Sequence, residues 1–290
     1  MGNKHKEKQH YVPKFLLKNF SQNGKTIIAL DRVSNSIIYR SVDSICAEND
    51  LYEEKWENAN PQLGKYVLDN KIENSFVNNE GKMSTLTKQI ENDIMTGKGN
   101  VLLSTDERET LFDFVTYLYL RNPAKMKEII SDYDSTDKAP EVKKMRDNTD
   151  YIFNQWGWGS SKSLFDHSKK FMIFSSELEG SPYNVERARL SKMRYVFWHS
   201  TEEEFVLSSF PLQFVIDDNE MVHRILLPIS SRIAIVFFNQ LLYGMDEGSV
   251  MAPYIKDIRA NMKMNLRILR KDVARFFIAK NEDTLKRLMR

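Results

Sequence analysis

The sequence predicts an α+β protein in which the helices are grouped apart from an antiparallel sheet. Two β-rich runs near the start are typical of a hairpin, and a long central region carries apolar residues at helical spacing. Short runs rich in Val, Ile, Phe and Tyr follow after residue 190. We therefore expect an N-terminal β-hairpin, a large helical middle region, an antiparallel sheet and a C-terminal helix.

The first helix is expected to begin at Pro13. Proline is favoured in the first turn of a helix, where its missing N–H has no intrahelical partner to lose. Residues 15–20 then supply an apolar face. The runs 26–31 and 36–42 come next, and the segment 32–35 between them predicts the turn of the hairpin.

The single cysteine, Cys46, excludes an intrachain disulfide framework and a cysteine-based zinc site. Because it stands between Ile45 and Ala47, we expect a buried small apolar group rather than a nucleophile. The segment 46–52 is expected to be a loop.

The middle of the chain, from about residue 61 to 180, is predicted to be helical. One helix is expected to begin after Ser104, which lies three residues ahead of Glu107 as in a capping box. It should end near Pro123, since proline disfavours helical backbone in the residue before it. The other helices of this region are expected at about 62–78, 83–96, 124–132, 140–156 and 161–177.

After residue 190, β-rich runs alternate with polar or proline-containing turns, which is typical of an antiparallel sheet. The tail from Tyr254 to Arg290 returns to helical spacing. Since the N-terminal hairpin can pair with the later sheet, we expect one interlocked domain over 1–290, with a sub-boundary near residue 185. The expected strands lie within 194–200, 204–210, 212–218, 224–230 and 232–238.

Composition limits the partners. The 290 residues are 41% hydrophobic, and 42 basic against 40 acidic residues leave a net charge of +2, so any field that attracts nucleic acid would be local. The basic stretch from Arg267 to Arg290 is expected to be a solvated helix face.

No run approaches the ~20 apolar residues of a membrane span, and no apolar signal core is found near the start. We expect a cytoplasmic protein with no membrane partner.

His10 is the first candidate for chemistry, because an imidazole titrates near neutrality as a general acid or base should. The alternative is structural, with His10 fastening the helix that Pro13 begins. The fingerprints of phosphate-binding loops, dinucleotide sites, zinc proteases and serine hydrolases do not occur in the sequence. The other histidines are expected at the surface: His5, His167, His199 and His223.

Glu73 and Glu80 are seven residues apart. On an unbroken helix they would share one face, about two turns apart. Paired carboxylates suit a divalent metal such as Mg²⁺, which is the cofactor that this pair would bind. Asn78, Asn79 and Gly81 are expected to interrupt the helix, which favours the alternative of two solvated charges.

Arg121 stands at the predicted C-terminus of an apolar helix. A cation there complements the helix dipole. A planar guanidinium also suits an anion or phosphate clamp. Arg121 lies one turn beyond Tyr117 and Leu118 on a helix that is expected to be largely buried, so we expect its side chain to be drawn inward.

The opening segment QHYVPKFLLKNF resembles a mainly microbial family known as domain of unknown function 4238, whose members typically begin Gln-His-x-x-Pro. The resemblance implies no established activity. It implies that His10, Glu73, Glu80 and Arg121 come together, since these are the family's polar motif positions. Further family-like segments are NDLYE at 49–53, KIENSFVNNE at 71–80, FDFVTYLYLRNP at 112–123, FVLSSFP at 205–211 and ILLPISS at 225–231.

One departure from the family pattern concerns Ser209, which stands where relatives usually carry Asp before x-Pro. If that aspartate is catalytic or a metal ligand in relatives, its role is impaired here or passes to another group.

Two functions remain open. The first is a nuclease-like hydrolase of RNA or DNA that acts in a phage-defence or toxin system. In this function His10 is the general acid or base and Arg121 is the phosphate clamp. Glu73 and Glu80 would be its metal ligands or acid–base partners. The alternative is a non-enzymatic sensor or adaptor of a bacterial defence or stress assembly, with a partner protein of that assembly. In that alternative the same residues fasten the N-terminal segment to the helical core.

Overall fold

The helices and strands come from a computed structural model that describes residues 7–60, 64–136, 140–158, 160–216, 222–239 and 245–290. The α+β class is confirmed. The helices are α1 (Lys14–Asn19), α2 (Lys71–Met95), α3 (Thr105–Leu120), α4 (Pro123–Thr136), α5 (Pro140–Gln155), α6 (Lys162–Phe174), α7 (Pro182–Leu190), α8 (Ile255–Ile268) and α9 (Glu282–Met289). The strands are β1 (Lys8–His10), β2 (Thr26–Asp31), β3 (Ser36–Ser41), β4 (Ala47–Asn49), β5 (Lys55–Asn60), β6 (Gly64–Tyr66), β7 (Arg194–His199), β8 (Leu207–Ser208), β9 (Gln213–Ile216), β10 (Val222–Pro228), β11 (Ile233–Phe238), β12 (Val250–Met251) and β13 (Phe276–Ala279).

The N-terminal region confirms two predictions and corrects a third. Helix α1 follows Pro13 directly, and β2 pairs with β3 as an antiparallel hairpin. The loop expected at 46–52 instead contains β4, which pairs antiparallel with β1. Its partner lies far away in the sequence, so a local pattern could not indicate the pairing. This ladder places His10 opposite Ala47.

Helix α2 corrects the break expected at 78–81, because it runs without interruption for 25 residues. A glycine inside a helix costs roughly 1 kcal/mol relative to alanine. That cost is outweighed here, since buried side chains on both sides of Gly81, including Phe76 and Met83, pack the same helix onto the core. The helix also begins at Lys71 rather than residue 62.

Helix α3 confirms the predicted capping box. The Ser104 hydroxyl accepts the backbone N–H of Glu107, and the Glu107 carboxylate accepts the backbone N–H of Ser104 at 2.8 Å. The helix ends at Leu120 with Arg121 as its C-cap, and α4 begins at Pro123. The C-terminus of α3 thereby carries Arg121 into the interior.

Two larger sheets contain nine of the described strands. One has the strand order β12-β7-β11-β10-β9, and the other has the order β3-β2-β13-β8. Strand β13 corrects the continuous helix expected from Tyr254 to Arg290, which is α8, then β13, then α9. The buried run FFIA at 276–279 is too short to distinguish from a helical segment by periodicity alone.

Strand β13 joins the two ends of the chain, because it pairs with β2 on one side and β8 on the other. Buried apolar side chains from Tyr11 to Leu288 belong to one hydrophobic cluster. The single interlocked domain stays a prediction, and its suggested sub-boundary near residue 185 falls inside α7. Among the described helices, none combines the length and the apolar character needed to cross a membrane.

Candidate functional site

Arg121 is the centre of the site, and its side chain is only 2% exposed. Its Nε donates a hydrogen bond to the Tyr52 hydroxyl at 3.0 Å. Its Nη1 donates to Oε1 of Glu80, and its Nη2 donates to the backbone carbonyl oxygen of His10. All three guanidinium nitrogens are therefore occupied by acceptors of the protein itself.

Aromatic rings enclose this cation. The guanidinium carbon of Arg121 lies 4.3 Å from the centroid of the Phe76 ring and 5.7 Å from that of Tyr52. The two rings meet edge to face with centroids 5.3 Å apart. Ring faces attract cations and exclude water, so the charged hydrogen bonds operate at a lower effective dielectric than at the surface. We call Arg121, His10, Tyr52, Phe76 and Glu80 the Arg121 cluster.

The continuous helix α2 brings both predicted glutamates to Arg121. Glu80 forms the ion pair while keeping 27% of its side chain exposed. Burial by itself would lower the pKa of Arg121. Attraction to the Tyr52 oxygen, then to Glu80 and Glu73, more than offsets burial, so this pKa is raised. The guanidinium is thus firmly protonated, and Glu73 acts on it through its charge.

His10 contributes its backbone and its ring to different partners. Its carbonyl oxygen accepts from Arg121, whereas its imidazole Nε2 lies 3.1 Å from the carbonyl oxygen of Val42. A carbonyl can only accept, so this nitrogen carries a proton and donates. Burial lowers the pKa of His10, which favours the neutral ring. His10 as a whole residue is 5% exposed, and its ring binds the backbone between β3 and β4.

Gln9 and Tyr52 also belong to the site, although neither is among the residues that the sequence predicted for it. The Gln9 side-chain oxygen accepts the backbone N–H of Tyr52 at 2.7 Å. The Tyr52 hydroxyl accepts from Arg121 and lies 3.3 Å from the His10 carbonyl. The opening segment and the NDLYE segment are thereby locked together. The tyrosine inside the family-like segment 49–53 was the available signal.

Of the predicted residues, Glu80 and the backbone of His10 contact Arg121, and Glu73 acts on it through its charge. The catalytic roles of the four residues stay predictions. Within the described residues, no group of three or more His, Cys, Asp or Glu side chains is placed to hold a metal ion. Glu80, one half of the predicted metal pair, is engaged by Arg121. The metal role of Glu73 and Glu80 stays a prediction.

Ser209 lies beside a different cavity, of about 370 Å³, which Tyr11, Asn122 and Arg275 also line. The Ser209 hydroxyl accepts the backbone N–H of Phe276 at 3.0 Å, so it joins the end of β8 to β13. Three family-like segments therefore meet at this cavity, and the serine serves backbone pairing there.

A larger cavity, of about 560 Å³, lies where α3, α4 and α7 face β9, β10 and the end of α8. Tyr119, Phe210 and Phe214 supply aromatic surface. Three of its basic residues are paired with carboxylates: Lys125 with Glu128 at 2.8 Å, Arg189 with Glu186 at 2.8 Å and Arg270 with Asp272 at 2.5 Å. The arrangement of apolar walls with a few polar groups is typical of small-molecule sites.

The histidine predictions need one correction. His167 was expected at the surface but is 1% exposed on α6, since its helix packs this face inward. His199 is partly exposed. His5 and the side chain of His223 lie outside the described residues. Cys46 is buried as predicted, and burial raises the pKa of its thiol to about 12.

Comparison with protein families matches residues 8–282 to the family described as "Protein of unknown function (DUF4238)". That range covers nearly all of the 290 residues and includes every residue of the Arg121 cluster. Comparisons with curated proteins and with solved structures returned no match.

Proposed function

We propose that this chain, which belongs to the DUF4238 family, works as a non-enzymatic binding protein of the sensor or adaptor type. In this function the Arg121 cluster is a fastener that holds the N-terminal segment against the helical core. The role in a bacterial defence or stress assembly and the cytoplasmic location remain predictions from the sequence.

The observation that carries the proposal is the occupation of Arg121. A phosphate clamp must offer guanidinium donors to its ligand. Here Tyr52, Glu80 and the His10 carbonyl take one nitrogen each, and the side chain is 2% exposed. A phosphate could reach Arg121 only after these contacts were broken and a carboxylate was left without its cation.

The other members of the cluster support the same function. A general base must reach its substrate, whereas the His10 ring is buried and bonded to the Val42 carbonyl. Glu80 neutralises Arg121 instead of presenting both oxygens to a metal. The 560 Å³ cavity supports the binding half of the proposal, because it offers a concave surface away from the cluster.

The test combines a stability measurement with a nuclease assay. Arg121→Met should destabilise the protein by about 3 kcal/mol, at the low end for a broken buried ion pair because Glu80 keeps contact with water. For a chain of this size, that loss lowers the melting temperature by roughly 6 °C or more. The matched control is Arg189→Met, whose exposed pair with Glu186 should be worth less than ~1 kcal/mol.

The nuclease assay uses RNA and single-stranded DNA with Mg²⁺. We expect the wild type and Glu80→Gln to leave both substrates intact to the same degree. If the wild type cleaves either substrate, and His10→Gln or Glu80→Gln abolishes cleavage without lowering the melting temperature, then the hydrolase prediction replaces this proposal.

A further inference from the structure

A third cavity, of different character, lies between α8, the end of α9 and the β2–β3 turn. Its volume is about 350 Å³, and its lining includes five cationic residues and no acidic residue. Its apolar floor comes from Leu30, Leu266 and Leu288. We call this cavity the basic groove, and its cations are Arg32, Lys263, Arg267, Lys271 and Arg290.

Four of these cations stand apart from the acidic side chains that the structure describes. Within the described residues, Lys263, Arg267, Lys271 and Arg290 have no carboxylate partner within ion-pair distance. The surrounding arginines differ, because Arg259 lies 2.6 Å from a carboxylate oxygen of Glu204 and other neighbours are paired in the same way. Lys263 and Arg267 therefore bring unpaired charge to the groove, whereas Arg259, one turn before Lys263 on α8, is paired.

Arg32 is the most informative member, because it is only 8% exposed. Its Nη1 donates to the carbonyl oxygen of Ala274 at 2.8 Å, and its Nη2 donates to that of Leu266 at 2.7 Å. These acceptors are neutral, and no acidic side chain among the described residues offsets its burial. A buried charge without a counter-ion is costly to a fold. An anion in the groove would supply the missing charge.

The helix dipole explains only part of this arrangement. Arg267 lies in the last turn of α8, where a cation is favourable in any case. Lys263 lies one turn earlier, and Arg32 comes from the β2–β3 turn at the other end of the chain. The end of α8 accounts for Arg267 and for Arg32, which donates to the Leu266 carbonyl oxygen in its last turn. It does not account for Lys263 and Arg290, which line the same groove.

We propose that the basic groove binds a small ligand that carries an oligophosphate group. Guanidinium forks and ammonium groups are the usual partners of phosphate oxygens. Four cations of the groove can offer donors to phosphate oxygens, whereas Arg32, whose Nη atoms donate to backbone carbonyls, adds only its charge. This arrangement around about 350 Å³ suits a compact ligand with several adjacent phosphates, and the volume lies at the lower end for small-molecule sites. An extended nucleic-acid strand needs a longer basic surface. This inference rests on the proposed binding function and names its ligand class, without using the Arg121 cluster.

The test measures binding by isothermal titration calorimetry at low salt with the full chain. The ligands are inorganic phosphate, tripolyphosphate, ATP and a single-stranded oligonucleotide without a terminal phosphate. Tripolyphosphate and ATP should bind at one site at least tenfold more tightly than inorganic phosphate, and both should weaken as salt increases. Oligonucleotide binding tighter than that of ATP would overturn the small-ligand proposal in favour of nucleic acid.

Arg267→Glu and Lys271→Glu are the deciding variants, because both side chains are exposed and their replacement leaves the core intact. Each should weaken tripolyphosphate binding at least tenfold. Lys88→Glu, at an exposed position on α2, is the control for Arg267→Glu with the same change in net charge and should bind within twofold of wild type.

The absence of saturable tripolyphosphate binding, or equal affinity in Arg267→Glu and Lys88→Glu, would overturn the proposal. Neither result bears on the nuclease assay. Failure of the groove to bind polyphosphate can therefore be distinguished from nuclease activity of the Arg121 cluster, which would contradict the proposed function.

Discussion

His167 should make the protein less stable in mild acid. Its residue is 1% exposed on α6, and burial lowers the pKa of its imidazole from 6.5 to about 4. Repulsion by Lys170 and Lys71 acts in the same direction, while Glu54 partly opposes it. The folded state therefore holds a neutral ring at a pH where the unfolded chain already binds a proton.

The sign and size follow from proton linkage. The stabilising contribution is complete above the unfolded pKa of 6.5 and is lost as the pH falls from there toward about 4. One pKa unit corresponds to about 1.4 kcal/mol, so the full interval sets an upper limit of about 3 kcal/mol. At pH 4.5 we expect a loss of roughly 2 kcal/mol from this residue, because this pH lies above the folded pKa of about 4 and the loss is not yet complete.

Urea unfolding of the wild type and His167→Leu at pH 7.0 and pH 4.5 measures this contribution. The free energy of unfolding should fall by roughly 2 kcal/mol more in the wild type than in the variant between the two pH values. Comparing the change with pH removes the cost of altering the core. His199→Leu, at a more exposed ring, is the control and should keep most of the wild-type pH dependence. Parallel pH profiles for the wild type and His167→Leu would refute the reasoning.

Four further predictions concern single positions. Ser104→Ala removes a helix cap and should lower the free energy of unfolding by about 1 kcal/mol in urea. Gly248→Ala should cost more than ~1 kcal/mol, because its φ is +81° and a Cβ would lie 2.7 Å from the Val101 carbonyl oxygen. Gly81→Ala should have the opposite effect, because Gly81 lies inside α2 with open space around it. It should raise the free energy of unfolding by roughly 0.5–1 kcal/mol. A lower free energy of unfolding would contradict the continuous helix. Cys46, buried with a raised pKa of about 12, should resist iodoacetamide until the protein unfolds, and rapid labelling of the folded protein, followed by mass spectrometry, would contradict its burial.

Local signals account for the elements that the sequence predicted correctly. Pro13 begins α1, the capping box at Ser104 begins α3, and the β2–β3 hairpin needs only neighbouring residues. The pairing of β1 with β4 and the position of β13 between β2 and β8 depend on residues far apart in the chain. Their sequences are short and satisfy several structures equally well, so burial against distant strands decides between them.

The candidate site was likewise predicted in part from local motifs, and the rest depends on distant contacts. The family-like motifs pointed to His10, Glu80 and Arg121, and the structure brings them together. The motifs did not indicate that the backbone of His10, rather than its ring, would meet Arg121. That outcome depends on the β1–β4 ladder, which turns the imidazole toward Val42.

The sequence by itself determined the α+β class, the family and the starts of helices such as α1 and α3, because nearest neighbours carry those signals. Only the tertiary structure decided what the charged residues do. Arg121 contacts the N-terminal segment and the helical core at once, because acceptors from three distant segments surround it. Arg32 became part of a basic groove because β2 pairs with β13, which brings the turn after β2 beside α8. Charge acts through space, so its role depends on which segments the fold makes neighbours.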